Sequence, residues 1–419
     1  RFHFPHGQPR PTGSHLTSIE GINRAFNKLK NEKLTRQELA LIAKELGLGS
    51  YWKSALYKAA CQPNASLVSK SDVIAMWERI AAKHHDNPSR FVAMLAKPDR
   101  SSLDFDDFLC VLQDVVECHP GLVFLRDAPE FHTRYMNTVI ARIFYTVNRS
   151  WSGCITVPEL RRCNFLQTLG MLEDEDDINM ICDFFSYEHY VIYCKFWELD
   201  TDHDLVIDKM DLSRHANGAL SNRLIDRVLS GAVTRWDTSD HRLHKMSYVD
   251  FVWFLISEED KKSSTSIEYW FRCMDVDGDG VISMYEMEFF YEDQMRKLEQ
   301  LDIEPLPFED CVCQMLDMVK PANRDHVTLN DLKRCKMAHV FFDTFFNVEK
   351  YLDNEQKDPF APQKNEPTDW ERFAAEEYEL LVAEEQANDH QIFDSHRSYD
   401  DDIDPLLEDE LRNLGINHE

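Results

Sequence analysis

Residues Asp275–Glu286 read DVDGDGVISMYE, and the alternating carboxylates of this stretch decide how the rest of the chain is read. Asp275, Asp277 and Asp279 stand on positions one, three and five of a twelve-residue loop. A hard cation such as calcium takes six to eight oxygens at about 2.3–2.6 Å, and short carboxylates on alternate residues supply the first of them. Gly280, at position six, falls where the backbone must enter the left-handed region, which costs a residue with a Cβ about 1–2 kcal/mol. Val281 offers its carbonyl, Ser283 its hydroxyl or a bridged water, and Glu286 at position twelve can clamp an ion with both oxygens. Before the loop Ile267, Trp270, Phe271 and Met274 share one helical face, and Met287, Phe289 and Phe290 follow it. A solvated acidic turn needs none of this periodicity. The stretch predicts a helix–loop–helix that binds calcium or magnesium.

A second loop, Asp200–Asp211 (DTDHDLVIDKMD), puts carboxylates of Asp200, Asp202, Asp204, Asp208 and Asp211 on all five side-chain positions, with the Val206 carbonyl between them. It departs from the pattern twice. Leu205 replaces the glycine and must accept backbone strain, and Asp211 is one methylene too short to clamp as a glutamate does. Calcium is the expected ion here too, with a geometry friendlier to magnesium than that of 275–286. A third loop, Asn148–Glu159 (NRSWSGCITVPE), keeps the shape with Gly153 and Glu159 but has one carboxylate, which predicts a structural role.

One phase recurs through the chain: an apolar residue, then Ser, Thr or Asp, then two residues, an acid and another apolar residue. It appears at Leu34–Leu39, Leu103–Phe108, Ile155–Leu160, Ile207–Leu212, Met246–Phe251, Ile282–Met287 and Val327–Leu332. Ser/Thr-x-x-Glu alone is a helix capping box found in any helical protein. The apolar residue ahead of it is the position that pairs with a partner loop in a calcium-binding module. The first and fifth matches are the weakest and satisfy the capping box alone. Loops ending at Asp107, Asp250 and Asp331 lack the early acids and are expected to be metal-free. Spacings of 36 to 69 residues are too irregular for a solenoid. The expected fold is all-α: tandem EF-hand-like helix–loop–helix pairs in an elongated multi-domain array with short inter-loop β-bridges.

At 419 residues the chain suggests two to four domains. It starts at Arg1, as a fragment would, so a targeting signal is expected to lie outside it. No run of about 18 apolar residues spans a membrane. Eleven dispersed cysteines fit a reducing compartment, cytoplasmic or nuclear, better than a disulfide framework. The net charge of −29 is uneven: about +8 over residues 1–100 and −16 over 351–419. Nucleic acid, which needs a basic face, is therefore not an expected partner. There is no Gly-x-Ser-x-Gly elbow, phosphate loop or His-Glu-x-x-His zinc helix, so no enzymatic role is read. The adjacent His84 and His85 read as solvated.

The ends differ in character. Residues 1–17 open with RFHFPHGQPRPTG, an extended aromatic and proline arm expected to dock, by preference on this chain. Residues 353–367 read as a linker, followed by a Thr368/Glu371 capping box and a helix with Trp370, Phe373, Ala374, Tyr378 and Leu381 on one face. From about Asp389 an acidic mobile tail is expected. Between the ends the divisions fall at 18–135, 136–262 with loop 200–211, and 263–350 with loop 275–286, leaving 351–419 as linker, helix and tail.

Long strings carry a resemblance: FWELDTDHDLVIDKMDLSRHANGALSNRLIDRVLSGAVTR, YVDFVWFLISEEDK, YWFRCMDVDGDGVISMYEMEFFYEDQ and the RFHFPHGQP arm. Over about residues 1–400 the chain resembles the B'' (B-double-prime) regulatory subunits of protein phosphatase 2A. The resemblance implies a calcium-binding, non-enzymatic subunit that engages the phosphatase scaffold and catalytic subunits and directs Ser/Thr dephosphorylation to selected phosphoprotein substrates. It also carries the family's calcium sites onto Asp200, Asp202, Asp204 and Asp211 and onto Asp275, Asp277, Asp279 and Glu286. The alternative is a freestanding EF-hand sensor, which predicts Met-rich grooves that open on metal binding.

Overall fold

A computed structural model of the chain describes residues 4–8, 14–62, 65–127, 129–181, 184–234, 244–356 and 367–401. Among these, helices alternate with eight very short strands that pair in antiparallel twos. β1 (Lys33–Leu34) pairs with β2 (Val68–Ser69) and β3 (Ser102–Leu103) with β4 (Ile155–Thr156). β5 (Val206–Ile207) pairs with β6 (Met246–Ser247), and β7 (Val281–Ser283) with β8 (His326–Thr328). In every pair the register sets one buried apolar residue opposite another: Leu34 faces Val68, Leu103 faces Ile155, Ile207 faces Met246 and Ile282 faces Val327. A two-residue strand has too few hydrogen bonds to stand alone, so burial of these side chains fixes the register. The next residue caps a helix, as Ser283 does by accepting from the Glu286 N–H while Glu286 accepts from the Ser283 N–H.

Several expectations need correction. The first and fifth sequence matches are not capping boxes alone, because Leu34 and Met246 both lie in paired strands. The partner of the first, Val68-Ser69 with Asp72, has the same phase and a full capping box but follows a stretch without acids, which hid it. The division drawn at 135/136 falls inside the β3–β4 pair and inside the Pro129–Val147 helix, so that helix belongs with both loops it serves. The first helix begins at Ser14, ahead of residue 18. Helix Val348–Gln356 takes the first residues of the supposed linker, whose remainder up to 366 lies outside the described residues. Helix Asp369–Asp401 continues past Asp389, and residues 402–419 of the expected tail also lie outside the described residues.

The described part of the arm docks on this chain. His85 N donates to the His6 carbonyl (2.7 Å), Ser89 Oγ donates to the same oxygen (3.2 Å) and Arg161 donates to Pro5 O (3.0 Å). His84 is half-buried against the His6 ring at 4.9 Å, so it is part of this seat and not simply solvated. At the other end Trp370 and Ala374 are buried, Tyr378 packs on Tyr187 at 4.6 Å, and Thr368 with Glu371 forms the expected cap.

One connected core runs from Ile22 to Ala374. Across the 262/263 division it is joined by buried charge. Lys261 Nζ meets Glu258 at 2.7 Å and Asp343 at 3.0 Å, while Lys350 Nζ meets Glu258 at 3.2 Å and Glu259 at 2.9 Å. Asn347 Nδ2 adds a bond to Glu258 (2.9 Å). Removing one partner of a buried pair leaves a charge without compensation and costs about 3–5 kcal/mol. Lys261→Met should therefore lower stability in denaturant melts by about 3–5 kcal/mol, whereas Lys97→Met, which breaks an exposed pair with Asp104, should cost under about 1 kcal/mol. Equal, small losses would mean that the buried cluster does not hold the units together.

Candidate metal centres

Loop 275–286 leaves the Ser264–Met274 helix, whose C-terminal carbonyls are gripped by Arg227: Nε donates to Cys273 O (3.1 Å) and Nη2 to Asp275 O (2.7 Å). Asp275 is buried, and its two oxygens accept from Gly278 N (2.8 Å) and Gly280 N (3.1 Å). These bonds need the left-handed backbone found at both glycines, φ 76° and 88°. Asp277 accepts from Asp279 N and Asp279 from Val281 N, which winds the loop around its own carboxylates. Glu286 reaches back from the next helix, accepting from Val276 N (2.6 Å) and from Ser283 N (2.8 Å). One oxygen from each of Asp275, Asp277 and Glu286 comes within 4.8 Å of the others; Asp279 stands outside that group. Ser283 spends its hydroxyl on Glu286, and Val281 sits in β7.

None of these four carboxylates has a side-chain cation as partner among the described residues. Burial, together with the Glu286 and Asp279 charges, holds the Asp275 carboxyl above its usual range despite the two N–H donors. A converging and unneutralised set of oxygens, with Asp275 and Glu286 buried and Asp277 exposed, fits a hard divalent cation.

Loop 200–211 gathers Asp200, Asp202 and Asp204 within the same 4.8 Å. Asp200 is fully buried and accepts from Asp204 N (3.2 Å) and Leu205 N (3.0 Å). Leu205 has φ 66° and is 48% exposed, so the strain expected at this position is present and no packing offsets it. Val206 lies in β5. Asp208 caps the following helix through Met210 N and Asp211 N. Asp211 stands outside the trio: Oδ2 accepts from Asp208 N (3.0 Å) and Oδ1 from Arg214 Nη2 (2.6 Å). Lys245, ahead of β6, reaches Asp204 Oδ2 at 2.7 Å. Sequence reasoning missed both cations. Arg214 could have been noticed three residues after Asp211, but Lys245 becomes a neighbour only through the β5–β6 register.

Loop 148–159 closes on itself. The Asn148 Nδ2 amide, with two hydrogens to share, lies within hydrogen-bond reach of Ser150 Oγ (3.1 Å), Ser152 Oγ (3.2 Å), Cys154 O (3.0 Å) and Glu159 Oε1 (3.2 Å). These acceptors occupy loop positions three, five, seven and twelve, the set that would surround an ion. One amide nitrogen takes the ion's place, which is why the loop keeps its shape with a single carboxylate. In the remaining loops Asp107, Asp250 and Asp331 are engaged with Lys58, Ser247 and Thr328.

Family models described as "P2R3B, EF-hand", "EF-hand domain" and "EF-hand domain pair" match residues 21–80, 86–175 and 190–292. The first two each enclose one strand pair, β1–β2 and β3–β4, and the third runs across β5, β6 and β7. The chain is 50% identical to the mouse B'' delta regulatory subunit of serine/threonine-protein phosphatase 2A, over 96% of its own length and 83% of the relative's. To the human B'' beta subunit it is 55% identical, covering 93% of this chain and 68% of that one. The chain belongs to the B'' regulatory subunits of protein phosphatase 2A. Against the human B'' alpha subunit, 60% identical over 92% of this chain, it spans about a third of the relative's length (34%). A chain in a solved structure of a PP2A PR70 holoenzyme is similar as well, at 66% identity and TM-score 0.61 over 64% of this chain and 99% of that one. As a B'' member with EF-hand domains, the chain is a calcium-binding protein by family.

Two substitutions test the loop chemistry. Glu286→Gln removes one charged oxygen from the clamp, and calcium affinity at 275–286 should fall at least tenfold, about 1.4 kcal/mol, in calorimetry; unchanged affinity and stoichiometry would rule this loop out as a calcium site. Asn148→Asp replaces the amide donor with an acceptor facing acceptors. The loss of stability in chelator should be about 1–3 kcal/mol, partly recovered in millimolar calcium. A melt identical to the parent's in chelator would mean that the amide does not hold the loop.

Proposed function

We propose that this chain is a calcium-responsive regulatory subunit that binds the scaffold and catalytic subunits of protein phosphatase 2A and directs Ser/Thr dephosphorylation to selected phosphoproteins, with no chemistry of its own. The observation that carries it is the pair of carboxylate-lined loops set in a member of the B'' family. Two calcium ions are read: the stronger at Asp275, Asp277, Asp279, Val281, Ser283 and Glu286, the weaker at Asp200, Asp202, Asp204, Val206, Asp208 and Asp211, where magnesium also competes. The described cysteines are free thiols, which suits the cytoplasm or nucleus. A freestanding sensor would keep an apolar groove between helices for its target; here the helical pairs bury their apolar faces in one continuous core.

Calcium acts at a junction. Loop 275–286 joins two helices packed through Trp270 and Phe290 on Phe346 at 5.5 and 5.3 Å. Arg227, from the preceding unit, holds the first residue of the loop. Drawing Glu286 and Asp275 onto an ion therefore bears on how the two units sit against each other. If calcium favours the arrangement that binds the phosphatase core, the core must in turn tighten calcium by the same factor, typically five- to 150-fold. Reconstitution of the chain with purified scaffold and catalytic subunits should show tighter assembly in calcium than in chelator, and Glu286→Gln should abolish most of the difference. Failure to retain either partner in calcium would refute the assignment; equal calcium affinity in the free and assembled states would reduce the metal to a staple.

A further inference from the structure

The eight loops differ in what neutralises their carboxylates, and the difference is sharpest between the two metal loops. In 275–286 the side-chain cation at hand, Arg227, bonds backbone carbonyls and leaves the carboxylates alone. In 200–211 two of the five carboxylates already hold a cation of the chain. Lys245 Nζ lies 2.7 Å from Asp204 Oδ2, and Arg214 Nη2 lies 2.6 Å from Asp211 Oδ1 while also donating to Leu199 O (2.7 Å) and Thr201 Oγ1 (3.0 Å). Arg214 thus ties positions twelve and two to the end of the incoming helix. Lys245 comes from the partner side of the strand pair: it directly precedes Met246, whose antiparallel register opposite Ile207 sets residue 245 beside Asp208, and from there its long side chain reaches back to Asp204.

We propose that Lys245 is a tethered competitor for the cation at 200–211: its ammonium occupies the outer side of the Asp204 carboxylate, keeps the loop closed without an ion, and lowers its calcium affinity below that of 275–286. The inference rests on the reading of 200–211 as a cation site and deepens it by naming what sets its affinity. A divalent ion drawing on Asp204 meets a positive charge already bonded to the same carboxylate. It must displace that ammonium or share the group with it, so both the lost ion pair and cation–cation repulsion act against binding. Arg214 acts in the same sense at Asp211, but its bonds to the backbone make it part of the loop's frame. Lys245 has no such second role. Its side chain is 42% exposed, and among the described residues its ammonium bonds Asp204 alone. The two loops would therefore fill in sequence as calcium rises, 275–286 first. Entry of the second ion would free Lys245 at the foot of the Tyr248–Glu259 helix, the helix that ends in the buried Glu258 and Glu259 cluster.

The test is calorimetric titration with calcium chloride of the full chain carrying Glu286→Gln, which weakens the stronger loop at least tenfold, with and without changes at position 245. Lys245→Met should tighten calcium at 200–211 by about tenfold, and Lys245→Arg should restore the parent affinity. Lys209→Met removes the same charge from the same loop, but Lys209 pairs with Asp226 and not with a loop carboxylate, so its gain should stay under about threefold. Equal affinities with Lys and Met at 245, or an equal gain from Lys209→Met, would overturn the proposal and leave the cation site standing. Absence of calcium uptake at this loop with any residue at 245, checked by Asp200→Asn giving the same flat titration, would overturn the site and the proposal together.

Discussion

Every unit of this chain depends on one contact: the apolar residue that closes a loop must meet its counterpart from the partner loop. The side chains concerned, from Leu34 and Val68 to Ile282 and Val327, are buried in all four pairs, and the two or three residues of strand on each side are too short to pair for any other reason. In seven of the eight loops the contact fixes where the helix starts, because the cap is the next residue; after Leu34 the helix starts later, at Leu39. It also fixes which loops are neighbours, and hence that each loop rich in early carboxylates faces one without them, 200–211 with the loop before Asp250 and 275–286 with the loop before Asp331. Four pairs then share one core.

With the backbone so fixed, the same loop geometry accommodates three ways of balancing inward-pointing oxygens. An amide nitrogen does it at 148–159, chain cations do it in part at 200–211, and no side-chain cation among the described residues does it at 275–286. The graded series has a simple physical origin. Converging oxygens repel, and the repulsion must be met by hydrogen-bond donors, by positive side chains or by a bound ion. The loop whose carboxylates have no positive side chain on them should respond most to a bound ion, and it is also the loop held by Arg227 at the junction with the preceding unit.

Much of this was legible in the sequence because it is local. The alternate aspartates, Gly280, the cap phase and the 3.6-residue periodicity are all properties of a dozen adjacent residues, and they located seven of the eight loops. Leu205 was readable as strained for the same reason, and its positive φ bears that out. What escaped was set by long-range pairing. Val68 was hidden because no acid precedes it in its loop. The β3–β4 pair crosses a division drawn from composition, since partners 52 residues apart leave no local mark. Lys245 and Arg227 reach their loops from 41 and 48 residues away. The Asn148 amide was visible only as a missing charge, because which acceptors it reaches depends on side-chain placement.

Which loops take an ion decides how the charge of this chain is balanced. Crystals of the chain grown in calcium and measured for anomalous scattering should show one peak enclosed by Asp275, Asp277 and Glu286 and a second, weaker one among Asp200, Asp202 and Asp204, with none at 148–159. A peak inside the Asn148 loop, or no density at 275–286, would contradict it.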